Sequence, residues 1–204
     1  MIIPRIQTSW DDGHPSDVRI AQLLLEYGFR DSIFFWPVKA VAGKPAWAYD
    51  IAKDFEIGAH TVNHRILSEI TLNEAYNEIS GGKEWLQAAF MQDIEAFCYP
   101  RGRYSPEVKE LVIDAGFKWA RTTVIGNAVD QPDPFRRPAD IHVYPRKEYD
   151  GLGFLEYSRK AWQLAKEKKY PTFHIWGHSW EIDKLNLWQD LETLFKLISN
   201  DRDR

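Results

Sequence analysis

Two short polar segments in this 204-residue chain contain the residue types that bind a metal ion and move a proton. Asp11 and Asp12 follow one apolar run, and His60 and His64 follow a later one. One carboxylate and two imidazoles form a three-ligand set that leaves positions open for water and substrate, and it suits zinc, iron, cobalt, nickel or manganese. The second carboxylate could accept a proton from water. This is the minimum set for a metal-dependent hydrolase.

Each segment also has a purely structural interpretation. A His pair with this spacing can be a coincidence of the surface, although on a helical turn both imidazoles would point to the same side. Asp12-Gly13 is also a common turn sequence, because Asp and Gly favour turns for local reasons. On an extended segment, adjacent side chains point to opposite faces, so Asp11 and Asp12 would divide the two roles between them. Only the combination of the two segments favours a hydrolase.

Apolar, β-rich runs alternate with helical patterns along most of the chain. The predicted strands are Arg5–Trp10, Ser32–Trp36, Phe55–Gly58, Glu95–Cys98, Lys118–Arg121, Ile141–Tyr144 and Thr172–Trp176. Thr71 begins a capping box, Ser105 precedes a proline at a first helical position, and Asn186 is predicted to open the last helix. Gly81-Gly82 predicts a weak point within a long helix. This alternation predicts either an open doubly wound sheet or a parallel barrel.

The chemically interesting residues come within three residues after predicted strands. This holds for Asp11, His60, Arg101 and His178. Because the carboxyl ends of parallel strands share one face, these segments are expected to converge on one site. His178 could donate a proton to a leaving group there, since histidine titrates near neutral pH. His174 lies deeper on the same face of its strand, and we predict a hydrogen-bonded core histidine.

Composition and charge exclude other classes of protein. The net charge of −4, without a long basic run, argues against nucleic-acid binding. No stretch approaches the apolar length of a membrane span. Cys98 is the only cysteine, so no internal disulfide can form. The length predicts one domain over residues 1–204. Asp11 comes too early for an export signal to precede it, so we expect a cytoplasmic protein. The sequence gives no indication of the oligomeric state.

Several motifs together resemble the polysaccharide deacetylase family, carbohydrate esterase family 4, also called the NodB-like deacetylases. Its Thr-Phe-Asp-Asp-Gly is similar to Thr8-Ser-Trp-Asp-Asp-Gly13, and its Ala-Thr-Phe-Phe is similar to Asp31-Ser-Ile-Phe-Phe35. The second family motif matches Glu56-Ile-Gly-Ala-His-Thr-Val-Asn-His64 closely. The third resembles Phe97-Cys-Tyr-Pro-Arg-Gly-Arg-Tyr-Ser105 and is followed by Ala115-Gly116-Phe117. These motifs lie within about residues 6 to 180.

The resemblance implies an α/β fold, a distorted TIM-like barrel of seven βα units in a single domain. It also implies roles for individual residues. Asp12, His60 and His64 would bind one divalent metal, with zinc as the first expectation and cobalt, nickel, manganese or iron as alternatives. Asp11 would be the general base and His178 the acid. The backbone amide of Arg101 would stabilise the oxyanion together with the metal, and Tyr104 and Trp180 are the further candidates for contact with the oxyanion or the substrate.

The chain departs from the resembled family at two positions. The family often has an arginine that orients the base two residues before the proline of the third motif, where this chain has Cys98. An uncharged neighbour would tune Asp11 differently. The family's later aspartate motif, which steers the histidine acid, has no clear match, and Asp140 is the candidate.

The resulting hypothesis is a hydrolase that removes an acetyl group from an N-acetylated sugar, with O-acetyl as the less favoured bond. Metal-activated water would attack the acyl carbon, Asp11 would take its proton, and His178 would protonate the leaving amine. The expected cytoplasmic location suggests a nucleotide-sugar, a lipid-linked sugar or a small oligosaccharide. Alternatives are an amidase for a small non-sugar amide and a non-catalytic carbohydrate-binding protein. Arg101 and Arg103 are either solvated loop cations or recognise a carboxylate or phosphate on the substrate.

Overall fold

Eight parallel strands curve into a nearly closed barrel in the computed structural model, which describes residues 3–202. The strands are β1 (Arg5–Asp11), β2 (Ser32–Trp36), β3 (Glu56–Ala59), β4 (Ala96–Cys98), β5 (Trp119–Ile125), β6 (Arg137–Ala139), β7 (Ile141–His142) and β8 (Thr172–Gly177). The helices are α1 (Asp17–Glu26), α2 (Val38–Val41), α3 (Ala46–Ala52), α4 (Leu72–Phe90), α5 (Pro106–Asp114), α6 (Phe154–Glu167), α7 (Ser179–Leu185) and α8 (Trp188–Arg202). The strand order is β6-β5-β4-β3-β2-β1-β8-β7. This confirms the predicted α/β barrel.

The barrel is completed by a strand that is interrupted in its middle. β6 pairs with β5, and β7 pairs with β8, yet only Asp140 separates β6 from β7 along the chain. The two short strands therefore fill one position between β5 and β8, which gives seven strand positions. β6 was not predicted. It contains Pro138, which cannot donate a backbone hydrogen bond and weakens the sequence signal for a strand.

The helix signals at Thr71 and Ser105 are confirmed, and two others need correction. Thr71 forms the predicted capping box with Glu74 at the start of α4, and the Ser105 side chain caps α5. The prediction of a weak point at Gly81-Gly82 is wrong, because α4 runs unbroken through both glycines. An added Cβ at Gly82 would lie 3.1 Å from the Thr61 carbonyl carbon, so this glycine lets the helix approach the chain closely.

The prediction for Asn186 is also wrong. Asn186 has a φ of 55° and ends α7, while α8 begins at Trp188. Asparagine tolerates the left-handed conformation that closes a helix. Of the apolar stripe predicted for the last helix, Leu187 lies before α8, whereas Leu191, Leu194, Phe195 and Ile198 are buried on it.

Two apolar regions support the barrel. The larger region lies between the strands and the surrounding helices, and it contains the buried Trp10, Trp36 and Trp162. A smaller cluster consists of Ile33, Phe35, Ala96 and Cys98, from β2 and β4, with the partly buried Trp119 packed against it. Among residues 3–202, no helix combines the length and the apolar character that crossing a bilayer requires.

Candidate active site

A cavity of about 350 Å³ lies at the carboxyl end of the barrel strands. Its walls are formed by Asp11, Asp12, His60, His64, Arg101, Thr123, Arg146, Trp176, His178, Trp180 and Glu181. These residues come from segments that are distant in sequence and follow or end β1, β3, β4, β5, β7 and β8. The barrel thus brings together most of the residues that the sequence singled out. Tyr104, Arg103 and Asp140 do not line the cavity, and Tyr104 instead stacks on Tyr99 with ring centroids 4.5 Å apart.

Asp12, His60 and His64 form one of three groups of potential metal ligands within residues 3–202, and it is the group that the sequence singled out. Oδ1 of Asp12 lies 3.6 Å from Nε2 of His60 and 3.2 Å from Nε2 of His64. All three candidate ligand atoms lie within 4.8 Å of one another. Asp12 is not a continuation of β1, because its φ of 77° turns the chain after Asp11. This bend allows two successive carboxylates to line the same cavity.

The loop that carries the two histidines is not helical, contrary to the expectation of a helical turn. His60 follows β3 directly, and both Thr61 (φ 69°) and His64 (φ 57°) adopt left-handed backbone conformations. The amide of His64 donates to Oγ1 of Thr61 over 2.9 Å. Asn63 donates from its backbone and its side chain to the Glu78 carboxylate of α4, over 2.7 and 2.8 Å. These local hydrogen bonds fold the loop back, so that the imidazoles lie 4.7 Å apart between ring centroids.

The protonation of His60 fits a role as a metal ligand. Its Nδ1 donates to the carbonyl oxygen of Cys98 over 2.7 Å, and a carbonyl can only accept. In the neutral form of the ring, which is the form that binds a metal, Nε2 of His60 then carries the lone pair and faces Asp12. Oδ1 of Asp12 is buried and accepts no hydrogen bond from residues 3–202. A lone pair and an unsatisfied carboxylate oxygen that converge in this way match the donor set of a divalent cation.

Asp11 is tied to a buried arginine that sequence reasoning missed. Nη2 of Arg121 donates to Oδ2 of Asp11, and both side chains are almost fully buried. Oδ1 of Asp11 is buried without a hydrogen-bond partner in residues 3–202. Burial raises the pKa of Asp11, but the Arg121 guanidinium, with His60 and His178 nearby, outweighs burial and the net pKa is lowered. Asp11 is therefore ionised at neutral pH.

Arg121 corrects the expectation that Cys98 leaves Asp11 with an uncharged neighbour. Cys98 and Arg121 are paired positions on β4 and β5, and Nη2 of Arg121 lies 3.0 Å from the Cys98 sulfur. The guanidinium also packs 4.4 Å from the centre of the Trp176 ring. Burial raises the pKa of the Cys98 thiol, which keeps it neutral. The available signal was a charged residue within the apolar run of a predicted strand.

His178 is oriented by Glu181 rather than by Asp140. Nδ1 of His178 donates to Oε2 of Glu181 over 2.6 Å, and Nε2 of His142 donates to the same oxygen over 3.1 Å. Burial raises the pKa of Glu181, yet these two hydrogen bonds lower it to about 2. Burial lowers the pKa of His178, and its hydrogen bond to Glu181 with the charges of Asp11 and Asp12 raises it overall. Nε2 of His178 is 3.6 Å from Oδ2 of Asp12.

The Asp140 assignment fails because this residue faces the other end of the barrel. Its carboxylate accepts from the Asn127 side chain over 2.9 Å and from the His174 amide over 2.8 Å. Glu181 was missed although it lies only three residues after His178. One turn of α7 brings the two side chains to the same side of the helix.

Trp180 and Arg101 line the cavity, whereas Arg103 lies outside it. Nε1 of Trp180 donates to Oδ2 of Asp12 over 3.2 Å, while the ring is 36% exposed at the mouth of the cavity. Arg101 lines the cavity from a turn in which its φ is 56°. Arg103 does not line the cavity, and its Nη1 donates to Glu69 over 2.7 Å at the surface.

Comparisons of the sequence agree with the motifs. A family model described as polysaccharide deacetylase matches residues 3–120. YxkH of Bacillus subtilis (strain 168), a protein named for the same family, is 26% identical over 126 residues. That match covers 59% of this chain and 45% of YxkH, so the chain spans less than half the length of this relative.

Comparisons of the structure find the same barrel in several solved proteins. The family 4 carbohydrate esterase from Streptomyces lividans in complex with acetate has a TM-score of 0.65 and 14% identity, over 98% of this chain and 88% of that chain. The Streptococcus pyogenes deacetylase PplD in complex with acetate has a TM-score of 0.57 and 18% identity, over 65% and 62%. A family 4 pseudoenzyme from Bacillus anthracis has a TM-score of 0.64 and 15% identity, over 98% and 62%. At these identities the similarity shows a shared fold.

Proposed function

Because the chain belongs to the polysaccharide deacetylase family, we propose that it is a metal-dependent hydrolase that removes the acetyl group from an N-acetylated sugar. The observation that supports this proposal is the convergence of three kinds of group in one cavity. They are the ligand set Asp12, His60 and His64, the ionised carboxylate of Asp11, and the imidazole of His178. Hydrolysis breaks the amide C–N bond and adds water across it, which gives acetate and a free amine.

Asp12, His60 and His64 are proposed to hold one divalent metal, with zinc first and cobalt, nickel, manganese or iron as alternatives. A divalent ion held there lowers the pKa of water and polarises the carbonyl oxygen of the substrate. His60 is fixed for this role by the hydrogen bond from its Nδ1 to the Cys98 carbonyl oxygen. Trp180 holds the second oxygen of Asp12 and so limits rotation of the carboxylate.

Asp11 is proposed as the general base, and Oδ1 is the atom that accepts the proton. Oδ2 is occupied by Arg121, whereas Oδ1 has no partner among residues 3–202. The lowered pKa of Asp11 keeps the carboxylate ionised at neutral pH. For the same reason, Asp11 holds a proton only weakly and gives it up readily later in the reaction.

His178 is proposed as the acid that protonates the leaving amine from Nε2. Its Nδ1 is committed to Glu181, which fixes both the ring and its tautomer. The raised pKa keeps Nε2 protonated near neutral pH. Glu181 in turn is held by His142, so we assign Glu181 a positioning role.

The size of the cavity is consistent with a small acylated group. A volume of about 350 Å³ is at the lower end of ligand pockets, which span roughly 300–1,000 Å³. A single sugar ring with its acetyl group is therefore the proposed occupant. The first alternative is an amidase for a small non-sugar amide, which would use the same groups.

The second alternative is a non-catalytic carbohydrate-binding protein. The similarity to a pseudoenzyme from Bacillus anthracis motivates it, because that protein has the same barrel. It is disfavoured here because a candidate base, a candidate acid and a complete ligand set line one cavity.

The proposal is tested by metal analysis of the purified protein together with acetate release from a panel of acetylated sugars. Asp11→Asn should retain the metal and lower kcat by ~10²–10⁴, the usual contribution of general base catalysis. Asp114→Asn, which changes an exposed aspartate outside the cavity, is the matched control. Loss of metal from Asp11→Asn would mean that the two aspartates are assigned the wrong way round. If no panel member releases acetate while the metal is bound, the deacetylase assignment is wrong.

A further inference from the structure

The side chains of two arginines line the cavity in addition to the side chains assigned to the reaction. Arg101 comes from the turn Pro100–Gly102 after β4, and Arg146 comes from the segment after β7. Neither is needed for the proton transfers described above. Their positive charges therefore need a separate explanation.

Thr123 of β5 is the point at which both arginine-bearing segments meet. An added Cβ at Gly102 would lie 2.3 Å from Oγ1 of Thr123, so the turn that carries Arg101 lies directly against this threonine. Nη2 of Arg146 donates to the carbonyl oxygen of Thr123 over 3.3 Å. Thr123 also lines the cavity, and the structure records no hydrogen bond of its hydroxyl within residues 3–202. The two arginine-bearing segments thus meet at Thr123, and Arg101, Thr123 and Arg146 all line the same cavity.

The two arginines differ in how their charge is compensated. Arg146 is half-buried and holds the Glu148 carboxylate through Nε and Nη2, each over 3.2 Å, which fixes the orientation of its guanidinium. Arg101 makes no hydrogen bond or ion pair in the described part of the chain, and its left-handed backbone keeps it at the cavity. The nearby positive charge of Arg121 is already neutralised by Asp11. Arg101, which is exposed, therefore contributes a positive charge to the cavity that no carboxylate among residues 3–202 pairs with.

We propose that Arg101, Thr123 and Arg146 form a subsite for an anionic group, a carboxylate or a phosphate, on the substrate. This proposal rests on the proposed function, since the anion would be carried by the acetylated sugar. Planar guanidinium groups present paired N–H donors that match the oxygens of carboxylates and phosphates, and a hydroxyl adds a third donor. The subsite uses Arg146, which lines the cavity, in place of Arg103, which pairs with Glu69 outside it.

The test compares acetate release from N-acetylglucosamine, N-acetylglucosamine 6-phosphate and N-acetylmuramic acid. The neutral sugar is the reference, and the other two distinguish a phosphate from a carboxylate. Wild-type protein should prefer at least one anionic sugar in kcat/KM. Arg101→Gln should reduce that preference by about 10–100-fold, as expected for the loss of one charged hydrogen-bonding group, and Arg101→Lys by less. Arg103→Gln, two residues away but outside the cavity, is the matched control and should keep the preference.

Calorimetric titration of the same sugars into metal-loaded Asp11→Asn protein, which should bind but not hydrolyse them, provides a readout that does not depend on turnover. Asp11→Asn protein should bind an anionic sugar at least about tenfold more tightly than the neutral one, and Arg101→Gln in that background should remove the difference. Equal affinity of the Asp11→Asn protein for all three sugars overturns the subsite, even if the wild type releases acetate. An equal effect of Arg103→Gln also overturns it. Absence of acetate from every sugar contradicts the proposed deacetylation, while the titration still decides whether the subsite exists.

Discussion

The two ends of the barrel shift the pKa values of the same kinds of polar side chain in opposite directions. At the carboxyl end, the pKa of Asp11 is lowered and that of His178 is raised, so both are charged near neutral pH. At the other end, burial raises the pKa of Asp140 to about 6 and lowers that of His174 to about 3. Both histidines belong to the segment of β8 and the residue after it.

Burial alone does not account for this difference, because all four groups are largely buried. Asp11 faces a guanidinium and His178 faces a carboxylate, so each charge is stabilised by an opposite one. Asp140 accepts only from the neutral amides of Asn127 and the backbone, and His174 contacts the hydroxyl of Ser9 over 2.9 Å. Charged partners, rather than depth, therefore distinguish the candidate active end of the barrel from its structural end.

The largest effect is expected from removing the imidazoles of the proposed metal site. His60→Ala combined with His64→Ala leaves Asp12 as the one remaining proposed ligand. Metal affinity should fall by more than the ~10–100-fold that follows the loss of an outer-shell partner. Elemental analysis after dialysis measures the metal content, and His14→Ala, outside the cavity, is the control. Full metal occupancy in the double variant would show that His60 and His64 do not hold the metal, and the proposed metal site at the carboxyl end of the barrel would be wrong.

Breaking the buried ion pair should destabilise the fold. Arg121→Met leaves the carboxylate of Asp11 buried without a charged partner, which typically costs about 3–5 kcal/mol. The free energy of unfolding is measured by urea denaturation. Arg137→Met is the control. It makes the same substitution at an arginine whose guanidinium lies over the Trp119 ring, 4.6 Å from the ring centre, and not against Asp11.

A second variant separates the loss of the ion pair from a simple packing defect. Arg121→Met combined with Asp11→Asn removes the unpaired charge and should recover part of the lost stability. If the double variant is less stable than Arg121→Met by the full effect of Asp11→Asn, the charged partner is not what maintains this end of the barrel.

A smaller effect is expected from the hydrogen bond that orients His178. Glu181→Gln should lower kcat by about 10–100-fold, in the range seen when a carboxylate that orients a functional histidine is removed. KM and metal content should stay close to wild type, because Glu181 is assigned to the acid alone. In a His178→Ala background, Glu181→Gln should add little, since the residue that it orients is already gone. Asp183→Asn, on the same helix, is the control. Additive losses would argue against a positioning role.

The smallest effect concerns pH and the structural end of the barrel. The folded pKa of His174, about 3, lies below its ordinary value of 6.5, so its stabilising contribution is complete above pH 6.5 and decreases as the pH falls toward 3. Between pH 6.5 and pH 5 the loss is about 2 kcal/mol, at 1.36 kcal/mol per pH unit. His174→Gln should lose correspondingly less stability than wild type over this range, with kcat unchanged. Equal pH dependence of the two proteins in urea denaturation would contradict the assignment of His174 as a neutral core histidine.

Local patterns predicted the alternating strands and helices and the polar residues at the strand ends, while the choice of a barrel over an open sheet came from the resemblance to the deacetylase family. Strands such as β2 follow from apolar runs, and Asp11 and His178 follow from their positions after such runs. The partners of these residues were not predictable in the same way. Arg121 reaches Asp11 only because β4 and β5 pair in a particular register, and no local pattern reveals that register.

The loop of the two histidines illustrates a second limit of sequence reasoning. Spacing alone suggested a helical turn for His60 and His64. The turn is instead formed by left-handed residues and by hydrogen bonds from Asn63 to Glu78, a residue on α4. The imidazoles converge as expected, but through tertiary contacts rather than through helical periodicity.

The pairing of Cys98 with Arg121 also limits how this barrel can change by mutation. Cys98 and Arg121 are paired positions on β4 and β5, and Nη2 of Arg121 already lies 3.0 Å from the Cys98 sulfur. The space between the two positions therefore holds a single guanidinium. Cys98→Arg alone would bring two like charges into that space, and Arg121→Cys alone would leave Asp11 without a cation. We therefore expect each single exchange to be harmful and the reciprocal double exchange to be tolerated. A comparison made position by position along the sequence would conclude that this protein lacks the family's arginine. Arg121 nevertheless supplies the guanidinium from the adjacent strand.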